Sequence, residues 1–292
     1  MKNAKPKGAL LLGILCISIF PILVRLQMAS GLISAFYRMF IAAVLLLPYV
    51  FFTRKFKLPP TTITLFAVAS GLVFATDIAI WNIAIQTSTA TQATLLANLS
   101  PLWVGIGSFL FLKNKPTINF WIGTTVALIG MIILVGIDVF TNLNFDLSFA
   151  LALFSGVLYA TYLLISKRIL AQIDVLSFMT VVLVSSSLFL YLVCVIKGEP
   201  FTGFTATAWG VLFIQGALCQ LTAWLLISYA TQHLRATRVS LSLLGQAVLA
   251  TLLAWLILDE KMNWDRIIGA VFLLLGIRIT FYNKSIFIKN KS

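Results

Sequence analysis

The sequence predicts an all-α membrane protein: ten transmembrane helices arranged as two inverted five-helix repeats. Three observations predict it. Hydrophobic residues make up 61% of the 292 and charged residues 10%, against about 45–50% and about 25% in a soluble domain. A soluble fold of this length could not hide so much apolar surface. The apolar residues fall in ten runs of about 20 residues, each long enough to cross a bilayer as a helix. Finally, the stretch from Ala84 to Gly130 recurs 146 positions later as Ala230 to Gly276, with twelve identities in 47 positions and no gap.

The runs cover residues 8–26, 32–52, 62–84, 89–112, 118–137, 147–166, 175–196, 206–230, 236–258 and 265–283. They must be helical, because lipid offers no partner to an unpaired backbone group. Pro59-Pro60, Lys113 to Pro116, Asn142 to Asp146 and Gly198 to Pro200 mark connections too short to hold a soluble domain. The first run follows Lys2, Lys5 and Lys7 as a signal peptide would, but no small-residue cleavage site follows it, and the repeat needs it as a span.

Among the repeated positions, Gln86/Gln232, Thr91/Thr237 and Lys115/Lys261 are polar, and the glycines Gly123/Gly269 and Gly130/Gly276 keep their spacing of seven. Chance coincidence of Leu and Ala does not produce such matches. Upstream, Gly13 aligns with Gly156, Arg25 with Arg168 and Phe36 with Phe178. The repeats are therefore residues 1–140 and 141–292. Five spans is an odd number, so the second repeat enters the membrane inverted. Secondary transporters are built this way, with the substrate site near the midplane between the halves.

Lys and Arg set the orientation. Lys2, Lys5, Lys7, Arg54, Lys55, Lys57, Lys113, Lys115, Lys167, Arg168 and Arg235, with three lysines of the C-terminal tail, fall on one side; Arg25, Lys197, Lys261 and Arg266 fall on the other. The first side is cytoplasmic, and both termini lie there. The net charge of +13 is then a signature of topology, and no nucleic-acid partner is expected. The short basic loops point to a multi-pass protein of a bacterial inner membrane. Cys16, Cys194 and Cys219 lie inside apolar runs without CxxC spacing and read as small hydrophobes. No metal or other cofactor is expected.

The count of spans, the inversion and the run TLLANLSPLWVGIGSFLFLKNKPTINFWIGTTVALIGMIIL resemble the drug/metabolite transporter superfamily, in its EamA-type branch. There each half ends in a span closing on an acidic pair, a short loop, and a last span with two glycines seven apart. The second copy, LLAWLILDEKMNWDRIIGAVFLLLGI, has Asp259-Glu260 followed by Gly269 and Gly276; the first has Asn114 in place of Glu but keeps Gly123 and Gly130. Pro101 and Arg38 also sit where that pattern has Pro and Arg, while the second half carries Gln246-Ala247 in place of the Pro. The resemblance implies a helical bundle with a central cavity lined by both halves, alternating access and no ATP-binding domain. It leaves open amino acids, nucleosides, sugars, cofactors and toxic cations as solutes.

Few residues can carry chemistry inside the spans. Asp77 is the one acid deep in a span. Burying it is costly, so it reads as a proton acceptor or a counter-charge to a cation; the other reading is a neutral Asp bonded to a neighbouring helix. Trp81, four residues on, shares its face with Phe74 and Ser70. It suits a cation–π contact or an interface anchor. Arg38 reads as a structural residue that snorkels outward or pairs with a carbonyl or with Asp77. Pro101, with Asn98 and Ser100, breaks the fourth span and frees a carbonyl near Ala97; Gln246, after Gly245, falls at the same depth in the ninth. Polar groups at such breaks line cavities or bond between helices. Tyr159 and Tyr162 in the sixth span, and Gln220 and Trp224 in the eighth with Gln215 before them, are candidate wall residues that also fit ordinary packing. His233, the only histidine, falls in a cytoplasmic loop and is expected in solvent.

These readings converge on a secondary active transporter exporting small organic solutes, such as amino acids, related metabolites or cationic compounds, with protons as a coupling ion. Monomer and homodimer both remain open. A membrane enzyme is disfavoured: HExxH and GxSxG are absent and no nucleophile–base pair can be assembled. A channel would show a continuous polar stripe, and a non-transporting scaffold or a membrane enzyme of unknown chemistry stays as the alternative.

Overall fold

The computed structural model describes residues 4–26, 28–57, 59–87, 96–136, 147–258 and 262–282. All regular structure among them is helical. Eight helices are long and apolar enough to cross a membrane: Ala4–Val24, Gly31–Phe52, Thr61–Ala84, Ile118–Val135, Leu147–Ile169, Val175–Lys197, Ala206–His233 and Ala236–Ile257. Ser100–Phe111 is a shorter apolar helix, and Trp264–Phe281 closes the chain. In chain order these are ten spans, close to the predicted bounds except the fourth, predicted at 89–112, whose helix is Ser100–Phe111 and of which residues 89–95 lie outside the described residues. The predicted repeat boundary at 140/141 and the Asp259-Glu260 pair lie outside the described residues.

Local chemistry sets the span ends. Ser30, Thr117, Asp174 and Thr205 each hold extended backbone and accept a hydrogen bond from the backbone N–H three residues on, which satisfies an otherwise orphaned donor of the first turn. The seventh span stops at Gly198, whose φ of +68° is the left-handed conformation that suits glycine as a helix cap.

Exchange of the halves carries spans one to five into six to ten, and the packing obeys that exchange. The third span packs on the sixth as the eighth packs on the first; the third on the seventh as the second on the eighth; the fourth on the sixth as the ninth on the first. The second–seventh and fifth–tenth pairs are carried into themselves. In the fifth–tenth pair, Gly123 faces Gly276 and Gly130 faces Gly269, so the two helices run antiparallel. A two-fold axis along the membrane normal would leave a self-paired couple parallel. The axis therefore lies in the membrane plane, as an inverted repeat requires.

The four glycines let the two backbones touch. A Cβ at Gly276 would stand 2.5 Å from the Gly123 carbonyl oxygen, and one at Gly269 would stand 2.7 Å from that of Gly130. Lipid supplies no hydrophobic drive between helices, so close backbone packing of this kind is what holds such a pair.

The two ends of the bundle differ. At one, Lys7 and Arg238 lie over the Phe281 ring, Arg168 donates to the Phe111 carbonyl, and Lys167 donates to the carbonyls of Thr231 and Gln232. At the other, Ser30 donates to Glu199 at 2.6 Å and Tyr37 to the Phe201 carbonyl at 2.6 Å.

Candidate functional site

The two buried charges among the described residues, Arg38 and Asp77, find their partners where the second, third, sixth and eighth spans meet. The eighth span makes this possible by changing its winding. Residues Gln215–Thr222 form a π-helix, in which the Thr222 hydroxyl reaches back to the Ala217 carbonyl, five residues earlier. Wider turns of this kind are frequent at functional sites. In an α-helix, residues five apart diverge; here Gln215 and Gln220 come onto one side and meet Ser34 and Arg38, which stand four apart on the α-helical second span. Ser34 donates to Gln215 Oε1 at 2.6 Å, and Arg38 Nε donates to Gln220 Oε1 at 2.7 Å. Gly216 admits the second span, since a Cβ there would stand 2.6 Å from Ile41 Cβ.

Arg38 is buried and does not snorkel. Its guanidinium lies 4.2 Å from the centroid of the Phe20 ring, a platform supplied by the first span. The correction has a simple cause: turned inward, the side chain gains both an amide acceptor and an aromatic face. Asp77 is buried as well and accepts a hydrogen bond from Ser155 of the sixth span at 2.5 Å. Arg38, Asp77 and Tyr159 lie within electrostatic reach of one another.

Aromatic rings wall this cluster. Phe74, one turn before Asp77, stacks on Tyr162 with centroids 4.3 Å apart and meets the Trp224 ring edge-on at 4.8 Å. Trp224 also meets Tyr162 at 5.5 Å and Tyr159 at 6.2 Å. The structure thus brings together Arg38, Asp77, Tyr159, Tyr162, Gln220 and Trp224 from both halves. Trp81, half-buried, meets the Phe20 ring at 6.5 Å, on the Arg38 side of the cluster rather than within the Phe74 group.

The two breaks flank the cluster. Pro101 stands in the first turn of Ser100–Phe111, just after a two-residue turn at 98–99 that separates it from the helical residues 96–97. The Ala97 carbonyl, which proline leaves without a donor, lies against the sixth span: a Cβ at Gly156 would be 3.1 Å from it. Asn98 sits in the turn before that helix, half-buried. In the ninth span the break falls at Leu244, between Ala236–Leu243 and Gly245–Leu258. Gln246 is half-buried just beyond it, and Gly245 there faces Ile277 and Ile14. Asn98 and Gln246 therefore occupy matching breaks in the fourth and ninth spans.

Sequence reasoning missed four contributors: Ser34, Ser155, Phe20 and the π-helical turn. The five-residue spacing of Gln215 and Gln220, out of step with an α-helix, was the available signal for the last. Among the described residues no three His, Cys, Asp or Glu side chains converge in a way that could hold a metal.

A cavity of about 760 Å³ lies elsewhere, at the basic end, between the third, fourth, sixth and ninth spans. Phe66, Phe111 and Ile165 form its apolar wall, and Lys113, Arg168 and Arg235 its rim, with exposed His233 beside them. This vestibule is lined by none of the residues of the polar cluster.

Ten apolar spans in two inverted sets, with their buried charges where the sets meet, define an inverted-repeat membrane protein of the transporter type. The model of the EamA-like transporter family matches residues 7–136 and again 147–282, and the chain belongs to that family. It is similar to an uncharacterized transporter of Archaeoglobus fulgidus, 24% identical over 251 residues that cover 84% of this chain and 86% of the relative. It is also similar to the uncharacterized transporter YdfC of Bacillus subtilis, 24% identical over 250 residues covering 85% and 80%. A solved crystal structure at 16% identity superposes with a TM-score of 0.80 over 94% of this chain and 96% of that one, a likeness of fold.

Proposed function

We propose that this chain is a proton-coupled secondary transporter that exports small organic solutes, amino acids or related metabolites, across the inner membrane by alternating access. The observation that carries the reading is the buried Arg38–Gln220 and Asp77–Ser155 pairs, which join the first half to the second across the bundle centre. Buried charge at that depth is costly and marks a solute or ion path. In this reading Arg38, Gln220 and Trp224 with Tyr159 and Tyr162 face the solute, and Asp77 carries the coupling proton. The basic end and both termini are cytoplasmic, in keeping with the positive-inside rule. The vestibule at that end and the Ser30–Glu199 and Tyr37–Phe201 latch at the other fit an inward-facing state. The halves 1–140 and 141–292 rock about the cluster to open the other side.

The latch tests alternating access. With Ser30→Cys and Glu199→Cys joined by a short bis-methanethiosulfonate, solute exchange is expected to stop and to return on reduction. Full exchange by the cross-linked protein would contradict the rocking motion.

A further inference from the structure

The central cluster holds more hydrogen-bond donors than acceptors. Gln220 is wholly buried and Trp224 is 2% exposed, yet Gln220 Nε2 and Trp224 Nε1 have no acceptor. The amide orientation is not arbitrary. Arg38 Nε can only donate, so the oxygen of the Gln220 amide must face it and the nitrogen must face away. Trp224 follows Gln220 by four residues and shares its face of the eighth span. Arg38 gives one N–H to Gln220, and its remaining N–H groups have no acceptor among the described residues. Asp77, the one carboxylate of the cluster, already accepts from Ser155. Buried donors are rarely left unpaired, and two neighbouring side chains beside the Arg38 guanidinium leave them so.

We infer that Arg38, Gln220 and Trp224 form a receptor for a carboxylate group, so that the solute is a small organic carboxylate whose remainder packs against Phe74, Tyr159 and Tyr162. This rests on the transporter reading above. The guanidinium fork matches the two oxygens of a carboxylate, and the two neutral donors complete its shell. One cation among aromatic rings is too little for a doubly charged phosphate.

Charge balance adds a consequence. Arg38 and Asp77 offset each other, so a bound carboxylate leaves the cluster one charge negative, which an apolar interior resists. A solute with its own ammonium group restores neutrality against Asp77. A solute without one requires a proton on Asp77, and that proton crosses with it.

The test compares acetate, isovalerate and 3-phenylpropionate with their amides and with 2-phenylethylamine. Binding to the purified full chain is read by thermal shift and proton uptake by a pH indicator. At least one carboxylate is expected to bind at least tenfold tighter than its amide and than the amine, with one proton taken up per carboxylate and none in Asp77→Asn. Trp224→Phe keeps the ring and loses the N–H; Gln220→Glu keeps the acceptor for Arg38 and loses the amide donors. Both are expected to weaken carboxylate binding at least tenfold, each measured at a temperature where the unliganded variant stays folded. Equal binding of an amide, preference for the amine, binding of none of the set, or undiminished binding by both variants overturns the receptor. Counterflow in proteoliposomes separates the two readings. Exchange of amines or neutral solutes alone leaves a transporter without this receptor, while carboxylates that bind but never exchange leave the receptor without transport.

Discussion

Asp77→Asn is expected to abolish the pH dependence of transport and to lower proton-driven accumulation of solute roughly tenfold or more. Asp77 lies in the third span at the junction of the halves, with Ser155 donating to its Oδ1. Asparagine keeps an oxygen there for Ser155 to bond, so the helix contact survives, but it has no proton to give or take. The melting temperature in detergent should therefore stay close to that of the parent while proteoliposome uptake under an imposed pH gradient collapses. Unchanged uptake with an unchanged pH profile would make Asp77 a structural bond between the third and sixth spans.

The second large effect is on stability. Gly276→Leu is expected to lower the apparent melting temperature by about 5 °C or more, read by size-exclusion chromatography after heating. The added side chain would start 2.5 Å from both the Gly123 carbonyl oxygen and the Ala127 nitrogen. These are backbone atoms and cannot move aside, so the fifth and tenth spans must separate along their whole contact. Gly210 is the matched control, because a Cβ there meets nothing within 4 Å; Gly210→Ala should change the melting temperature little. If the two variants behaved alike, the fifth–tenth crossing would not be a main support of the fold.

The glycines of that crossing, though not their partners, were legible in advance, and the reason is physical. Small residues spaced by two turns are the way membrane helices touch without a hydrophobic drive, and Gly123/Gly130 recur as Gly269/Gly276 in the repeat. The break at Pro101 was legible too, since proline removes a donor wherever it stands; the freed Ala97 carbonyl does lie against Gly156. The meeting of Arg38 with Gln220 was not. Its distance from the span end left room for the side chain to run outward, and its partner depends on a π-helical turn that only the packing of the second span against Gly216 explains. Asn98 and Gln246, which the repeat pairs, fall at the breaks of the fourth and ninth spans, while Arg38, Asp77, Tyr159, Tyr162, Gln220 and Trp224 are the candidates that make contacts around the buried charges. Periodicity identifies equivalent positions in the two halves; it does not say which of them face each other across the two-fold axis.

The most direct measurement is counterflow into proteoliposomes that contain the purified full chain, with a pooled cytosolic metabolite extract outside and mass spectrometry of the lumen. Enrichment of one or a few small organic solutes over protein-free vesicles, lost in Asp77→Asn under a pH gradient, is the predicted result. No enrichment at any pH, with metabolites and xenobiotic cations alike, would contradict the transporter account and favour a scaffold.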